Sequence, residues 1–482
     1  MTAALRFGGR DIAPPAFDDA VRRAASGLAR LGVGAGDVVC VMLHNTPAFL
    51  EAMFAARLLG AYYCPINWHY KAEEAGWILR DSGAKALFVE PALREQVAAG
   101  VPPGVALVGP EAFRSEQPWS GAAGAPGTMM PYTSGTTGRA KGVRRVPLTP
   151  AQLEAAAALT AAVLGIQAGM RALLSAPLYH SAPNSYASNV MQRGDLLVLE
   201  ERFDAERTLS LIQDLRLTHA YLVPTMFVRL LRLPEEAKKR YDLSSMRFVA
   251  STGSPCPAEV KRAMIDWWGP VFHDSYAASE LGYVTAISSP ESLRKPGSAG
   301  RPVGEALIRI LDEAGRELPA NGIGLIYARQ SAYPDFTYNN DPASRRKLEH
   351  DGLLTLGDMG FLDPEGYLYV CDRAADMVIS GGVNIYPAEI EAALALMPGV
   401  RDCAVFGIPD AEFGEALCAA VQPEPGAEVS EQEIVSYLKN RIADYKVPRC
   451  VTFHEALPRE ESGKIFKRSL RAPYWEKAGR KI

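Results

Sequence analysis

The sequence predicts an α/β protein of parallel sheets covered by helices, followed by a smaller C-terminal domain. Three observations lead there. Helical and strand-like segments alternate from the N-terminus onward. Between residues 297 and 372 the texture changes to short β-like pieces separated by Gly, Pro and Asn. A second composition begins after CDRAAD and leaves about 110 residues, an ordinary size for a small domain.

In order, FDDAVRRAASGLARLG sets Phe17, Val21, Ala24, Leu28 and Leu31 at helical spacing, with Gly32 as its C-cap. VVCVML (38–43) is a short buried strand. Thr46 and Pro47 read as an N-cap and a proline at the first position of the helix PAFLEAMFAARLLG. The strand AYYCPI (61–66), the helix KAEEAGWILRD and the strand KALFV continue the alternation, and the Gly- and Pro-rich residues 101–127 are expected to be a connector. Alternation resumes over 151–290, starting with AAAALTAAVLGIQAGM (155–170), too short for a membrane span and read as an alanine-rich core helix. ALIRIL, GLIYAR and YLYVC are expected strands of a small barrel or sheet. Past a boundary near 372–376 come a strand, the amphipathic helix PAEIEAALALM, the strand CAVFGI and SEQEIVSYLKNRI.

Composition narrows the function classes. The 482 residues allow two or three domains, and 48% hydrophobic with 22% charged residues is normal for a soluble globular chain. A net charge of −4, from 51 basic and 55 acidic residues, gives no footprint for nucleic acid. Basic residues thicken at the C-terminus (Lys464, Lys467, Arg468, Arg471, Lys477, Arg480, Lys481), read as a solvated helix face and tail. The seven cysteines form no C-x-x-C pair and are odd in number, so a reducing cytoplasm is expected. No H-E-x-x-H marks a zinc site, and no G-x-S-x-G marks a serine hydrolase. MTAALRFGGRD lacks a basic region followed by an apolar core, so no signal peptide is expected. No signature of oligomeric state stands out.

One stretch concentrates chemistry: PYTSGTTGRAKGV (131–143). It is not the phosphate loop of P-loop NTPases, because Gly138 is followed by Arg139 and Lys141 by Gly142. Its residues still suit phosphate. Gly135, Gly138 and Gly142 let amides approach an anion closely, Thr133, Ser134, Thr136 and Thr137 offer hydroxyl donors, and Lys141 adds a mobile positive charge. The bland alternative is a flexible polar surface loop.

TSGTTGRAKG, SYAASE, GDMG, DRAADMVISGGVNIYPAEIE and LPREESGKIFKRSLR occur in that order. Together they resemble the adenylate-forming superfamily of acyl-CoA synthetases, adenylation domains and luciferases, and ISGGVNIYPAEIE resembles the acyl-CoA ligase branch. The resemblance spans nearly the whole chain. It implies a large N-terminal domain (1–372) of two α/β subdomains plus a small β-barrel, and a smaller mobile α+β C-terminal domain (373–482). It also implies ATP, Mg²⁺ and coenzyme A, with a small carboxylic acid as substrate. A carboxylate attacks the α-phosphate of ATP, giving acyl-AMP and pyrophosphate; a thiol then displaces AMP. Two unit charges about 4 Å apart repel by roughly 4 kcal/mol at an effective dielectric near 20, so such a site must supply cations and oriented donors.

By this resemblance, residues 133–138 and Lys141 grip the β- and γ-phosphates, and Lys464 bridges the substrate carboxylate and the α-phosphate. Glu280 holds Mg²⁺, Tyr276 stacks on adenine, Ser279 keeps the hydroxyl of a more common threonine, and Gly253, Ser254 and Pro255 line the adenine. Asp358 accepts the ribose hydroxyls and Arg373 contacts ribose or phosphate. Ser380, Gly381 and Gly382 line the pantetheine tunnel. Phe413, Lys446 and Arg449 are candidates for the CoA adenine and phosphates, with a solvated or core role as the alternative. Tyr179, His180, Asn184, Met226 and Ala277 are assigned to the acyl pocket; His180 equally suits a satisfied core histidine. YHSAPN carries no carboxylate to pair an α-amine, so an acid without an amino group is expected.

Three positions depart from the pattern. Ala277 stands where glycine is common, Leu356 where threonine is, and Ala375 at the hinge where Asp or Lys is frequent. Transfer of the acyl group to an amine or carrier protein, and a degenerate nucleotide-binding protein, remain as rival functions.

Overall fold

The computed structural model describes residues 1–110, 113–115, 117–122, 128–133, 140–381, 383–459 and 465–477. Ser134, Gly135, Thr136, Thr137, Gly138, Gly382 and Lys464 lie outside the described residues. Two compact units result: Met1–Leu307 with Ala328–Gly352, and Ile308–Tyr327 with Leu353–Ile482. The boundary expected near 372–376 falls inside the second unit.

Apolar, β-rich segments build the two larger sheets of the first unit. The larger has nine strands, in the order Arg301–Pro302, Gly282–Ser288, Phe272–Ala278, Phe248–Thr252, His219–Tyr221, Arg171–Leu174, Leu196–Leu199, Ala4–Phe7 and Arg10–Ile12. The six strands from Phe272–Ala278 to Ala4–Phe7 are mutually parallel; antiparallel strands close both edges. The smaller sheet is wholly parallel, ordered Tyr62–Pro65, Val38–Met42, Ala86–Val89 and Ala106–Val108. Strand Val38–Met42 is buried at every position, as a strand covered on both faces must be.

Several local expectations are adjusted. The first helix runs Pro14–Arg30, and Gly32 (φ 75°) returns its N–H to Ala29, as expected of a terminating glycine. Pro47 opens the helix Pro47–Leu58, but the Thr46 side chain makes no capping bond; its extended backbone alone turns the chain in. The alanine-rich helix is Pro150–Leu164, earlier than 155–170. Thr149 caps it reciprocally with Gln152, and Gly165 ends it in the left-handed conformation (φ 68°), where a Cβ would lie 2.5 Å from the Phe248 ring. Part of the 101–127 connector is a strand, Ala106–Val108, because its apolar residues complete the smaller sheet.

One side chain joins the two sheets. Asn45, buried after the central strand of the smaller sheet, donates to the carbonyls of Ala176 (2.9 Å) and Glu200 (3.2 Å) and accepts from the Leu178 N–H (2.8 Å).

In the second unit, Leu307–Leu311, Gly324–Arg329, Leu353–Leu362 and Leu368–Arg373 are neighbours in that order, an open run of strands that needs no closed barrel. A further sheet is ordered Val383–Ile385, Val378–Ser380, Gly414–Pro423 and Val400–Asp410, with Cys450–Phe453 beside Gly414–Pro423. The period of two along Gly414–Pro423 builds both cores. Leu417, Ala419 and Val421 pack with Ile390 and Leu394 of helix Pro387–Leu394 and Ile434 and Leu438 of helix Glu431–Lys439; Cys418 and Ala420 pack with Leu470 and Tyr474 of helix Lys467–Lys477. No helix among the described residues is long and apolar enough to cross a membrane.

His219 opens a central strand, buried, with Thr218 Oγ1 2.7 Å from Nδ1 and Gln167 Nε2 3.3 Å from Nε2. Burial, aided by the Arg247 charge, pushes its pKa down to about 4. Between the unfolded value near 6.5 and the folded value near 4, the unfolded chain binds the extra proton. Stability is therefore whole above about pH 6.5 and falls as pH drops through 4, by about 3 kcal/mol. Denaturant midpoints measured from pH 7 to 4 should show this loss, and His219→Gln should flatten it.

Candidate active site

The first unit's site begins with strand direction. Four adjacent parallel strands end at one edge of the large sheet, and each delivers sequence-assigned residues there. Arg171–Leu174 leads to Tyr179 and His180; His219–Tyr221 leads to Met226, at the start of helix Pro224–Leu231; Phe248–Thr252 leads to Gly253, Ser254 and Pro255; Phe272–Ala278 carries Tyr276 and Ala277 and leads to Ser279 and Glu280. Arg171–Leu174 lies between Leu196–Leu199 and His219–Tyr221, so the chain visits one side and then the other. The crevice beyond the carboxyl end at such a reversal is where open α/β sheets bind ligands.

Gly253, exposed at φ 94°, makes a turn that side-chain-bearing residues disfavour. Across the antiparallel pair, Tyr276 faces Thr285 while Ala277 faces Tyr283, so Val284 is an extra residue on the partner strand. Such bulges re-aim side chains beside sites. Gly282 (φ 77°) turns the chain back, and a Cβ there would fall 2.2 Å from the Tyr333 ring.

Glu280 sits in this turn, buried, at 8% exposure. Its Oε1 accepts from Thr133 Oγ1 at 2.9 Å and from the Tyr338 hydroxyl at 3.1 Å. Oε2 has no hydrogen-bond partner among the described residues. Thr133, which meets Glu280, is the last described residue before the glycine- and hydroxyl-rich stretch. Both donors come from one small sheet, Phe336–Tyr338, Lys141–Arg145 and Tyr132–Thr133, in which Gly142 lets the Tyr132 ring pack where a Cβ would be 2.8 Å away.

Arg145 fixes the turn. Its guanidinium donates to the carbonyls of Ser279, Glu280 and Pro334, between the rings of Tyr333 and Phe336. Burial pulls its pKa below the usual arginine value, and Tyr333, Glu280 and Asp335 act in the other direction. Ser181 and Ser279 hydroxyls, 3.1 Å apart, link the turn to the helix Ser181–Arg193. Lys141 reaches Ser344 Oγ (2.6 Å) and Asp341 (3.1 Å) and lies 5.3 Å from the centre of the Tyr338 ring. The Ser344 hydroxyl and N–H, helped by that lysine, hold the Asp341 carboxyl down at about 2.

The residues that the sequence assigns to an acyl pocket are of two kinds. Tyr179 is half-buried beside His180, and burial pushes its phenol up to about 12. Asn184 is fully buried; its amide accepts from the Tyr63 hydroxyl (2.8 Å) and donates to the Leu178 carbonyl (3.0 Å), so its polar ends are engaged within the fold.

In the second unit, Asp358 and Arg373 are direct cross-strand partners, with Arg373 Nε 3.5 Å from Asp358 Oδ1. Gly357 (φ 83°) precedes Asp358 and accepts the Ala374 N–H. The Gly381 N–H donates to the Phe413 carbonyl at 2.8 Å, Ser380 pairs with Gly414, and the Arg449 guanidinium lies 4.2 Å over the Phe413 ring. Ser380, Gly381, Phe413 and Arg449 therefore come together, whereas Lys446 is held by both Glu389 oxygens (2.6 and 2.8 Å).

A family model described as AMP-binding enzyme matches residues 2–333, and one described as AMP-binding enzyme C-terminal domain matches residues 389–464. The chain belongs to the adenylate-forming AMP-binding enzymes. Among AMP-binding relatives, a feruloyl-CoA synthase of Amycolatopsis sp is 34% identical over 97% of this chain and 95% of its own length. The long-chain-fatty-acid–CoA ligase FadD13 of Mycobacterium tuberculosis is 33% identical over 94% of this chain and 91% of its own. The crystal structure of an anthranilate CoA ligase, AuaEII, in complex with anthranoyl-AMP matches with a TM-score of 0.87 at 26% identity, covering 99% of this chain and 95% of that one.

Sequence reasoning missed Arg145, Tyr338, Asp341 and Ser344. Arg145 lies just past the recognised motif, and YNNDPAS carried only a turn signal, so their link to Glu280 and Lys141 arises in the sheet pairing. Replacing Arg145 with Leu leaves the turn carbonyls without their donor, each worth roughly 1–3 kcal/mol if unsatisfied. A fall in the urea midpoint equivalent to about 2–4 kcal/mol is expected.

Proposed function

We propose that this protein is an ATP-dependent carboxylic acid:CoA ligase that joins acid and ATP into an acyl-adenylate and then transfers the acyl group to the CoA thiol. The observation that carries the reading is the Thr133–Glu280–Tyr338 cluster, fixed by Arg145 at the carboxyl end of a reversing parallel sheet, where the hydroxyl-rich loop begins. A carboxylate with one oxygen satisfied by two hydroxyls, and the other without a partner among the described residues, fits a divalent cation that prefers oxygen ligands. Mg²⁺ held there by Glu280 would offset charge on the triphosphate.

The remaining roles are the ones that the resemblance of the motifs implies. Thr133, residues 134–138 and Lys141 hold the outer phosphates; Tyr276 and Gly253, Ser254 and Pro255 receive the adenine; Asp358 and Arg373 receive the ribose. Lys464 places its ammonium between the substrate carboxylate and the α-phosphate, offsetting repulsion between two anions. Ser380, Gly381, Gly382, Phe413 and Arg449 receive CoA. The domain boundary is placed at 372/373 with Ala375 as pivot. The substrate is an acid without an amino group, aromatic or fatty, as the relatives' names suggest. The cysteines found free in the structure suit a reducing compartment such as the cytoplasm.

Pyrophosphate exchange with ATP across a graded acid panel tests the first half-reaction, and thioester formation against amide formation with CoA and amines tests the acceptor. Lys464→Met should lower exchange by about 10²–10³-fold, the scale of losing one transition-state donor. Full exchange in that variant would overturn the role given to the ammonium. Ala277→Gly should extend the accepted chain length, seen as a shift in the acid profile of kcat/KM. Ala375→Pro, which locks φ, should slow thioester formation more than adenylation; equal loss of both would refute a pivot there.

A further inference from the structure

The Glu280 cluster and the Lys141 cluster share one side chain, Tyr338. Its hydroxyl donates to Glu280 Oε1 (3.1 Å), and the centre of its ring is 5.3 Å from Lys141 Nζ. The ring is buried, at 8% exposure, and packs edge-on against Phe336, 5.3 Å between centres. Its strand pairs Tyr338 with Val143, and the Asn339 N–H donates to the Gly142 carbonyl at 2.8 Å, so the backbone beneath the ring is held by the strand that carries Lys141. A carboxylate whose Oε1 is held by Thr133 and Tyr338 loses its rotational freedom, and the second oxygen is left in one place. An ammonium within about 6 Å of an aromatic face is drawn to it electrostatically.

We propose that Tyr338 is a positioning residue for nucleotide-bound metal: its hydroxyl sets the Glu280 carboxylate for the cation, and its ring seats the Lys141 ammonium for the phosphates. This rests on the reading of Glu280 as the magnesium-holding carboxylate and Lys141 as a phosphate contact. The two functions of Tyr338 are chemically separable. Tyr338→Phe removes the hydroxyl and keeps the ring. Tyr338→Leu removes both.

The test is equilibrium binding with the full chain. Mn²⁺ stands in for Mg²⁺ and is followed by electron paramagnetic resonance in saturating ATP; metal-free ATP binding is followed by calorimetry. Tyr338→Phe should weaken Mn²⁺ binding about tenfold, the scale of one hydrogen bond to a charged group, and leave metal-free ATP binding unchanged. Tyr338→Leu should weaken both. Thr133→Val, which removes the other donor to Oε1, should reproduce the Phe effect on Mn²⁺ and serves as the test if Tyr338→Phe does not fold. Glu280→Gln is the control for the underlying reading. If it binds Mn²⁺ as the parent does, the metal role of Glu280 fails. If it loses Mn²⁺ while folded Tyr338→Phe, or Thr133→Val in its place, retains parent affinity, the positioning role fails. Equal metal-free ATP affinity in the Phe and Leu variants overturns the seating of Lys141 by the ring.

Discussion

The arrangement in the first unit depends on one part-buried cation. Arg145 lies among aromatic rings and gives its N–H groups to the carbonyls of Ser279, Glu280 and Pro334. Burying a guanidinium is unfavourable unless its donors are taken up, and the carbonyls of a turn outside a sheet ladder are unfavourable to bury without donors. Each side of the contact answers the need of the other. The result is a turn with a fixed backbone, from which the Glu280 side chain projects into hydroxyls from a different sheet. Preorganisation of this kind is what an electrostatic site requires, because dipoles already aimed need not reorganise when charge develops.

The Asp358–Arg373 pair of the second unit obeys a similar logic with less burial. Asp358 and Arg373 meet because two strands pair in register, and Gly357 supplies a left-handed backbone immediately before the carboxylate. In the same unit, the part-buried Glu391 accepts from Lys467 and the Val405 N–H, and its pKa is raised chiefly by desolvation. Asp372, also raised by burial, accepts the Ala388 N–H at the start of helix Pro387–Leu394. The Ala375 carbonyl receives Arg471 at 2.9 Å. Lys467 and Arg471, which in the sequence looked like members of a solvated basic face, are structural cations: Lys467 has 15% and Arg471 20% of its side chain exposed.

Much of the fold was legible because its signals are local. Buried strands such as VVCVM and helices opened by proline announce themselves within a dozen residues. The alanine-rich helix was misplaced by several residues because alanine gives little amphipathic contrast, so the tertiary contact of Gly165 with Phe248 decides its end. Ala106–Val108 was unreadable among glycines and prolines since three residues carry no period, and only the open edge of the smaller sheet recruits them. At the site, motif residues were visible and their supports were not. Tyr338 and Arg145 act through register across sheets, which a linear reading does not contain, and the full engagement of Asn184 by Tyr63 and Leu178 depends on packing between segments far apart in sequence.

Asn45 carries an implication for recombination between relatives. Its single amide staples the smaller sheet to Ala176, Leu178 and Glu200, on the segments that follow the strands Arg171–Leu174 and Leu196–Leu199. A graft that exchanges residues 175–180 alone brings in a loop shaped around another protein's staple. Crossovers that move this loop together with the segment bearing Asn45 keep donor and acceptors co-inherited, and so let the loop be exchanged without loosening the two layers.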